Sequence, residues 1–173
     1  DSLLSILFIF LLFGTFFIVK QQSAAIVERF GKFISVRHSG LQIKIPIIDN
    51  VAGRLSLRIQ QLDVVVETKT KDDVFVKVKV SVQYKVIKDK VYDAFYKLDF
   101  PQDQITSYVF DVVRAEVPKM ILDDVFEKKD DIAIAVKTEL NDAMQNYGFD
   151  IIKTLVTDID PDAQVKELSL IHI

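Results

Sequence analysis

The sequence predicts an α+β fold with an N-terminal transmembrane helix, an antiparallel β-sheet subdomain, and a helical subdomain that closes with a final strand. Three patterns predict it. Leu3–Val19 is an apolar run without a charge, Val74–Val86 alternates with a period of two residues, and apolar residues recur at helical spacing after Lys88. The predicted domains are a membrane anchor helix over 3–19, a β-rich subdomain over 20–88, an α/β subdomain over 89–160, and the start of a coiled-coil helix over 161–167.

The first predicted element is the apolar run. Fourteen of the seventeen residues in Leu3–Val19 are Leu, Ile, Phe or Val. A helix of this length extends about 26 Å, which nearly crosses a hydrocarbon core of about 30 Å. We therefore expect lipid contact from every large apolar side chain of the run, namely Leu3, Leu4, Ile6, Leu7, Phe8, Ile9, Phe10, Leu11, Leu12, Phe13, Phe16, Phe17, Ile18 and Val19.

Two other interpretations of this run remain open. A buried core helix would normally keep a polar face, which the run lacks. A secretory signal would be cleaved near the small residues Ser23-Ala24-Ala25, although its apolar core is usually only about 7–15 residues long. Because Lys20, Arg29, Lys32 and Arg37 follow the run, the positive-inside rule predicts a single N-terminal anchor with a cytoplasmic domain.

Strands are predicted through the next part of the chain. The predicted strands are Ala24–Phe30, Phe33–Val36, Leu41–Ile45, Leu55–Ile59, Leu62–Val66 and Val74–Val86. In Val74–Val86, seven apolar residues at even positions fall on one face, and the lysines fall on the other. This alternation, with its many β-branched residues, predicts an antiparallel sheet that has one buried face and one solvated face.

Helices are predicted in the second half. A helix begins at Pro101 and ends before Pro118, with Ile105, Val109, Val112, Val113 and Val117 on its apolar stripe. A short helical turn follows at Leu122–Glu127. A second long helix begins near Asp130 and Asp131 and ends near Gly148, with the stripe Ile132, Val136, Leu140, Ala143, Met144 and Tyr147. Phe149–Ile159 is predicted to be the final strand.

The loop Ile45–Ile48 is a second predicted membrane contact. Its four apolar residues precede the polar pair Asp49-Asn50, and Pro46 lacks the N–H that a sheet ladder needs, so we expect a protruding tip. Ile47 and Ile48 then either enter the headgroup region or pack inward as core residues. Both interpretations remain open from the sequence.

Composition and motifs do not support catalysis or nucleic-acid binding. The formal net charge is −3, so there is no basic excess. The absence of cysteine excludes disulfides and thiolate metal sites. The five glycines form neither phosphate-binding loop, and no catalytic set assembles around His38 and His172. We predict no catalytic residue, no cofactor and no metal site.

The last six residues, 168–173, read Leu-Ser-Leu-Ile-His-Ile. An in-frame translation of a common sequencing-library transposon end gives this string, so we interpret it as adapter-derived. We then expect the natural chain to continue beyond Glu167. A genuine apolar C-terminus is the alternative.

Several segments resemble one protein family. They are Val27–Phe33 (VERFGKF), Asp72–Val76 (DDVFV), Gln104–Ala115 (QITSYVFDVVRA), Val117–Lys119 (VPK), Leu122–Glu127 (LDDVFE) and Thr154–Asp162 (TLVTDIDPD). Together they resemble the stomatin/prohibitin/flotillin family, also called SPFH or band 7, from Val19 to Glu167. The chain is most similar to the plant hypersensitive-induced-reaction branch and its bacterial stomatin-like relatives. That plant branch resembles lipid-anchored proteins, whereas the run Leu3–Val19 points to the stomatin-like arrangement.

The resemblance implies a non-enzymatic, membrane-anchored oligomeric scaffold that organises membrane microdomains and membrane-protein complexes. Its implied partners are membrane lipids and further copies of the chain, in a ring or cage that needs a coiled coil after the domain. The alternative is a dedicated regulator that binds a membrane protease or a channel directly. The resemblance brings no catalytic residue and no nucleic-acid partner.

Overall fold

The structure is a computed structural model that describes residues 1–161. Within them, eight strands form three antiparallel sheets and five α-helices are present. The helices are α1 (Ser2–Thr15), α2 (Val91–Tyr96), α3 (Pro101–Glu116), α4 (Leu122–Glu127) and α5 (Lys129–Gln145). The strands are β1 (Phe16–Val19), β2 (Ser23–Arg29), β3 (Lys32–Arg37), β4 (Gly40–Ile43), β5 (Asp49–Ser56), β6 (Gln60–Lys69), β7 (Phe75–Val86) and β8 (Phe149–Pro161). The predicted α+β class is confirmed.

The predicted transmembrane helix over 3–19 is corrected by the structure. The helix α1 ends at Thr15, and Phe16–Val19 form β1, which pairs with β4. The chain leaves the helix here because the backbone N–H of Lys44 donates to the carbonyl of Thr15 at 2.8 Å, and the aromatic and β-branched residues that follow favour a strand. A 14-residue helix is about 21 Å long. Among residues 1–161, no helix combines the length and apolarity needed to cross a membrane.

The strands of the first half form separate sheets instead of one. A three-stranded sheet has the order β3-β2-β5, and β1 pairs with β4 in a two-stranded ribbon. The predicted strand Leu55–Ile59 is divided because the backbone N–H of Leu57 donates to the carbonyl of Gln22 at 2.9 Å and Arg58 N–H donates to Ser56 Oγ at 3.3 Å. These bonds turn the chain between β5 and β6.

The third sheet has the order β6-β7-β8 and confirms the predicted strand around β7. The even-numbered residues of β7 are buried: Val76, Val78, Val80, Val82, Tyr84 and Val86. The predicted final strand is β8, which pairs antiparallel with β7. Pro161, predicted to start a helix, is instead the last residue of β8. Residues 162–173 lie outside the described residues. They comprise the rest of the predicted coiled-coil start and the six residues interpreted as adapter-derived.

The helices α3 and α5 bury most of the stripes that their spacing predicts, whereas the predicted stripe residues Ala143 and Tyr147 are only half-buried and Tyr147 lies beyond α5. Ile105, Val109, Val112 and Val113 of α3 are buried with Ile132, Val136, Leu140 and Met144 of α5, and the core cluster joins them to the buried faces of β6, β7 and β8. The helix α2 is absent from the sequence prediction, because its six residues are too few to show a helical period. It places the Phe95 ring against Gly53 of β5.

Candidate membrane-contact surface

The helix α1 has no buried residue. Its large apolar side chains are exposed, with the exception of the half-buried Leu11. A helix that is apolar all round normally sits in a protein core or in lipid. The side chains expected to contact lipid between Leu3 and Phe13 are therefore available for that contact.

The ribbon of β1 and β4 extends this apolar surface. Phe16 lies opposite Ile43 and Ile18 lies opposite Leu41, and all four side chains are exposed. Since alternate residues of a strand share a face, these four side chains form one outward-facing patch. The intervening residues differ from the prediction: Phe17 is half-buried, and Val19 is only 2% exposed, so Val19 packs into the domain and is not available to lipid.

An open apolar groove of about 330 Å³ joins the end of α1 to the ribbon. It is lined by Leu12, Phe13, Phe16, Phe17, Ile18 and Leu41. The helix end and the ribbon thus form one continuous apolar surface rather than two separate patches.

The turn Ile45–Ile48 protrudes beside this surface. Ile47 is 90% exposed, and Ile45 and Ile48 are exposed to a smaller extent. Ile47 has a φ of 73°, a left-handed conformation that β-branched residues rarely adopt. The side chain of Pro46 lies against Gly14 of α1. Of the two interpretations that the sequence left open for Ile47, its exposure favours the protruding tip, and lipid contact stays a prediction.

A buried carboxylate fixes the base of this turn. Asp49 accepts hydrogen bonds from Arg29 Nε at 2.7 Å, from Arg29 Nη2 at 3.3 Å and from the backbone N–H of Ile45 at 3.0 Å. The backbone N–H of Asp49 donates to the carbonyl of Ile45 at 2.9 Å. These bonds close the turn from both ends and tie it to β2.

The hydrogen bonds from Arg29 and from the Ile45 N–H lower the pKa of the Asp49 carboxyl. A lowered folded-state pKa means that the ionised carboxylate stabilises the fold above the ordinary value of 3.8, and that this contribution disappears as the pH falls through the lowered pKa. We expect Asp49→Asn to melt at a lower temperature than the unsubstituted protein at pH 7. The gap should narrow progressively as the pH falls below about 4 in thermal melts recorded across the pH range.

A surface ion pair provides the control for this experiment. Lys69 and Asp73 lie 3.0 Å apart, and the Asp73 side chain is mostly exposed. Exposed pairs contribute little, so Asp73→Asn should leave the melting temperature nearly unchanged at every pH. A constant difference between Asp49→Asn and the unsubstituted protein from pH 7 to pH 2 would contradict the proposed role of the carboxylate.

The hairpin between β2 and β3 brings a further apolar side chain to this end of the molecule. Phe30 is 84% exposed at the hairpin tip, and it is adjacent to Arg29, whose pairing with Asp49 places the hairpin beside the turn. Phe30, Leu41 and Ile43 are not among the contact residues predicted from the sequence. Two sequence signals were available. Phe30 is an aromatic residue directly before Gly31, and Leu41 and Ile43 belong to an alternating pattern whose apolar face can also point outward.

Comparison with known proteins identifies the architecture. Residues 17–168 match the SPFH domain / Band 7 family. The chain belongs to the SPFH family. It is 47% identical over 150 residues to Hypersensitive-induced response protein 4 of Arabidopsis thaliana, which covers 86% of this chain and 51% of that protein. It is 30% identical over 150 residues to Stomatin-like protein 2, mitochondrial, of Homo sapiens, which covers 86% of this chain and 42% of that protein. The chain thus spans about half the length of these relatives, or less.

Family membership confirms the resemblance that was predicted from the motifs. The relatives that the chain matches include a stomatin-like protein and a hypersensitive-induced response protein, the two branches that the motifs resemble. In this SPFH domain, Val27–Phe33 contains the β2–β3 hairpin tip and Thr154–Asp162 begins within β8. The first motif therefore includes the exposed Phe30 and lies beside the turn Ile45–Ile48.

An aromatic cluster supports that hairpin of the SPFH domain. The Phe33 ring meets the Tyr92 ring edge-on at 4.8 Å and the Tyr96 ring at 5.8 Å, which attaches β3 to α2. Tyr96 donates a hydrogen bond to Glu28 Oε1 at 2.6 Å. Burial, together with this bond to Glu28, raises the pKa of Tyr96 to about 12. The phenol therefore stays protonated, and the hairpin that carries Phe30 is held in place.

Proposed function

We propose that this protein is a non-enzymatic scaffold that attaches to a lipid bilayer through α1, the β1–β4 ribbon, the turn Ile45–Ile48 and Phe30, and that assembles there with further copies of itself. The observation that carries the proposal is the continuity of this surface, which we call the apolar end. The membrane-associated scaffolds of the SPFH family support it.

The apolar end is exposed to solvent, which is unfavourable for so many apolar side chains. Large contiguous apolar patches on a protein surface mark sites of interaction with another protein or with a membrane. A lipid surface accounts for the whole apolar end. A protein partner would need one surface that fits the all-round apolar helix and another that fits the flat ribbon, whereas the hydrocarbon of a bilayer covers both. Attachment in this way requires insertion into the bilayer from one side, and it requires no membrane crossing.

Vesicle flotation of the variant Ile47→Ser/Ile48→Ser tests the membrane part of the proposal. Ile47 is 90% exposed and Ile48 is 37% exposed, so the double substitution should lower the melting temperature by only a few degrees. It should weaken partition into phosphatidylcholine vesicles about tenfold or more, since burial of one large apolar side chain contributes roughly 1.5–3 kcal/mol. Titrating the lipid gives the partition coefficient.

The matched control is Ile134→Ser. Ile134 is an exposed isoleucine on α5, outside the apolar end. Its replacement should change neither partition nor melting. Equal partition of the tip variant and the control variant would remove the turn from the proposed surface, and a large loss of melting temperature in the tip variant would show that its residues belong to the core.

Assembly is tested separately on the full-length protein in detergent. Negative-stain images that show closed rings support the scaffold, and images of monomers contradict it.

A further inference from the structure

Charge is distributed very unevenly along this chain. Residues 16–58, which form the ribbon and the β3-β2-β5 sheet, contain seven Lys and Arg against two Asp and Glu, a net charge of +5. Residues 59–173 contain 15 basic residues against 22 acidic ones, a net charge of −7. The overall charge of −3 therefore conceals a basic part of the chain that contains the ribbon, the turn Ile45–Ile48 and Phe30. Such asymmetry is typical of proteins that bind a polyanionic surface.

Three lysines flank the apolar end. Lys20 directly follows β1 and Lys44 directly follows β4, and in the antiparallel ribbon these positions lie at opposite ends. Lys32 begins β3, two residues after the exposed Phe30. Lys20 and Lys32 are exposed and Lys44 is half-buried.

The local acids do not neutralise these lysines. Among residues 1–161, none of the ion pairs involves Lys20, Lys32 or Lys44. The two nearby carboxylates are engaged elsewhere, since Asp49 is buried against Arg29 and Glu28 accepts the hydrogen bond of Tyr96.

We infer that the apolar end binds anionic phospholipids in preference to neutral ones, with Lys20, Lys32 and Lys44 contacting the lipid phosphates. The inference rests on the proposed function and specifies the class of lipid that the apolar end binds. The aliphatic part of a lysine side chain can lie along an apolar surface while its ammonium group contacts the lipid headgroups. The acidic remainder of the domain is repelled by the same surface, which turns the apolar end toward the bilayer.

The test compares vesicles of phosphatidylcholine with vesicles of an equimolar phosphatidylcholine and phosphatidylserine mixture. The unsubstituted protein should partition more strongly into the anionic vesicles, and high salt should remove the difference. Each basic residue near an anionic surface strengthens binding roughly fivefold, so Lys20→Gln/Lys32→Gln/Lys44→Gln should weaken partition into the anionic vesicles by about a hundredfold. Partition into the neutral vesicles should stay unchanged.

The control variant is Lys77→Gln/Lys79→Gln/Lys153→Gln. These three exposed lysines lie on the outer face of the β6-β7-β8 sheet, so the net charge changes equally while the apolar end is intact. Equal losses in both triple variants would overturn the placement of the site. Equal partition of the unsubstituted protein into both kinds of vesicle would overturn the lipid preference and leave the proposed function standing, whereas no partition into either would overturn both.

Discussion

Replacing Val80 by aspartate is expected to prevent stable folding. Val80 is fully buried in the middle of β7, with Val64 of β6 and Val156 of β8 as its neighbours across the sheet. An unpaired carboxylate at this position costs several kcal/mol. The total stability of a domain is only about 5–15 kcal/mol, so Val80→Asp should lack a cooperative thermal transition when its melting is followed by circular dichroism.

The adjacent residue provides the control. Lys79 lies on the exposed face of β7, where its replacement by glutamine removes one surface charge and no packing. Lys79→Gln should melt within a few degrees of the unsubstituted protein. Because neighbouring residues of a strand point to opposite faces, similar melting of the two variants would show that the register of β7 is wrong.

Strand β7 and the long helices are predictable because burial imposes a local pattern. Each buried apolar residue of β7 is two positions from the next, and the other buried residues of α3 lie three or four positions from Val109. Such periods can be read within about a dozen residues, without knowledge of what covers the buried face. Most of the predicted core positions in α3 and α5 are confirmed for the same reason.

The end of α1 is not predictable from a local pattern. Phe16–Val19 are as apolar as the residues before them, and only their pairing with the distant strand β4 makes them a strand. The same limit explains the division of the predicted sheet, which depends on a backbone bond between Leu57 and Gln22. Local hydrophobicity therefore identifies the segment as apolar, but it overestimates the length of the helix.

The candidate surface was predictable only in its parts. The runs Leu3–Phe13 and Ile45–Ile48 are visible in the sequence because apolar residues are consecutive there. Phe30, Leu41 and Ile43 join them through strand pairing and through the contact of Arg29 with Asp49, twenty positions away. A single sequence does not contain that pairing in any short window.

Replacing Gly148 by alanine is the second change with a large expected effect. Gly148 follows α5 with a φ of +84°, which costs roughly 1–2 kcal/mol for an L-residue. An added Cβ would also lie 2.5 Å from the carbonyl oxygen of Lys90 and 3.0 Å from the backbone nitrogen of Ala94. These backbone atoms lie directly before α2 and within it, so they cannot rotate away as a side chain could. We expect a total loss of about 3–4 kcal/mol in the free energy of unfolding, measured by urea denaturation.

Gly31 separates the two causes of that loss. It has a similar φ of +79° at the β2–β3 hairpin, but no atom lies within 4 Å of an added Cβ. Gly31→Ala should therefore show the backbone strain alone, roughly 1–2 kcal/mol, with an unchanged denaturant slope. The difference between the two variants measures the contact of the α5 end with α2, the helix that also supports the β2–β3 hairpin through Tyr92 and Tyr96. Equal losses in the two variants would mean that Gly148 is required only for its φ, and that α2 can move away from the turn after α5.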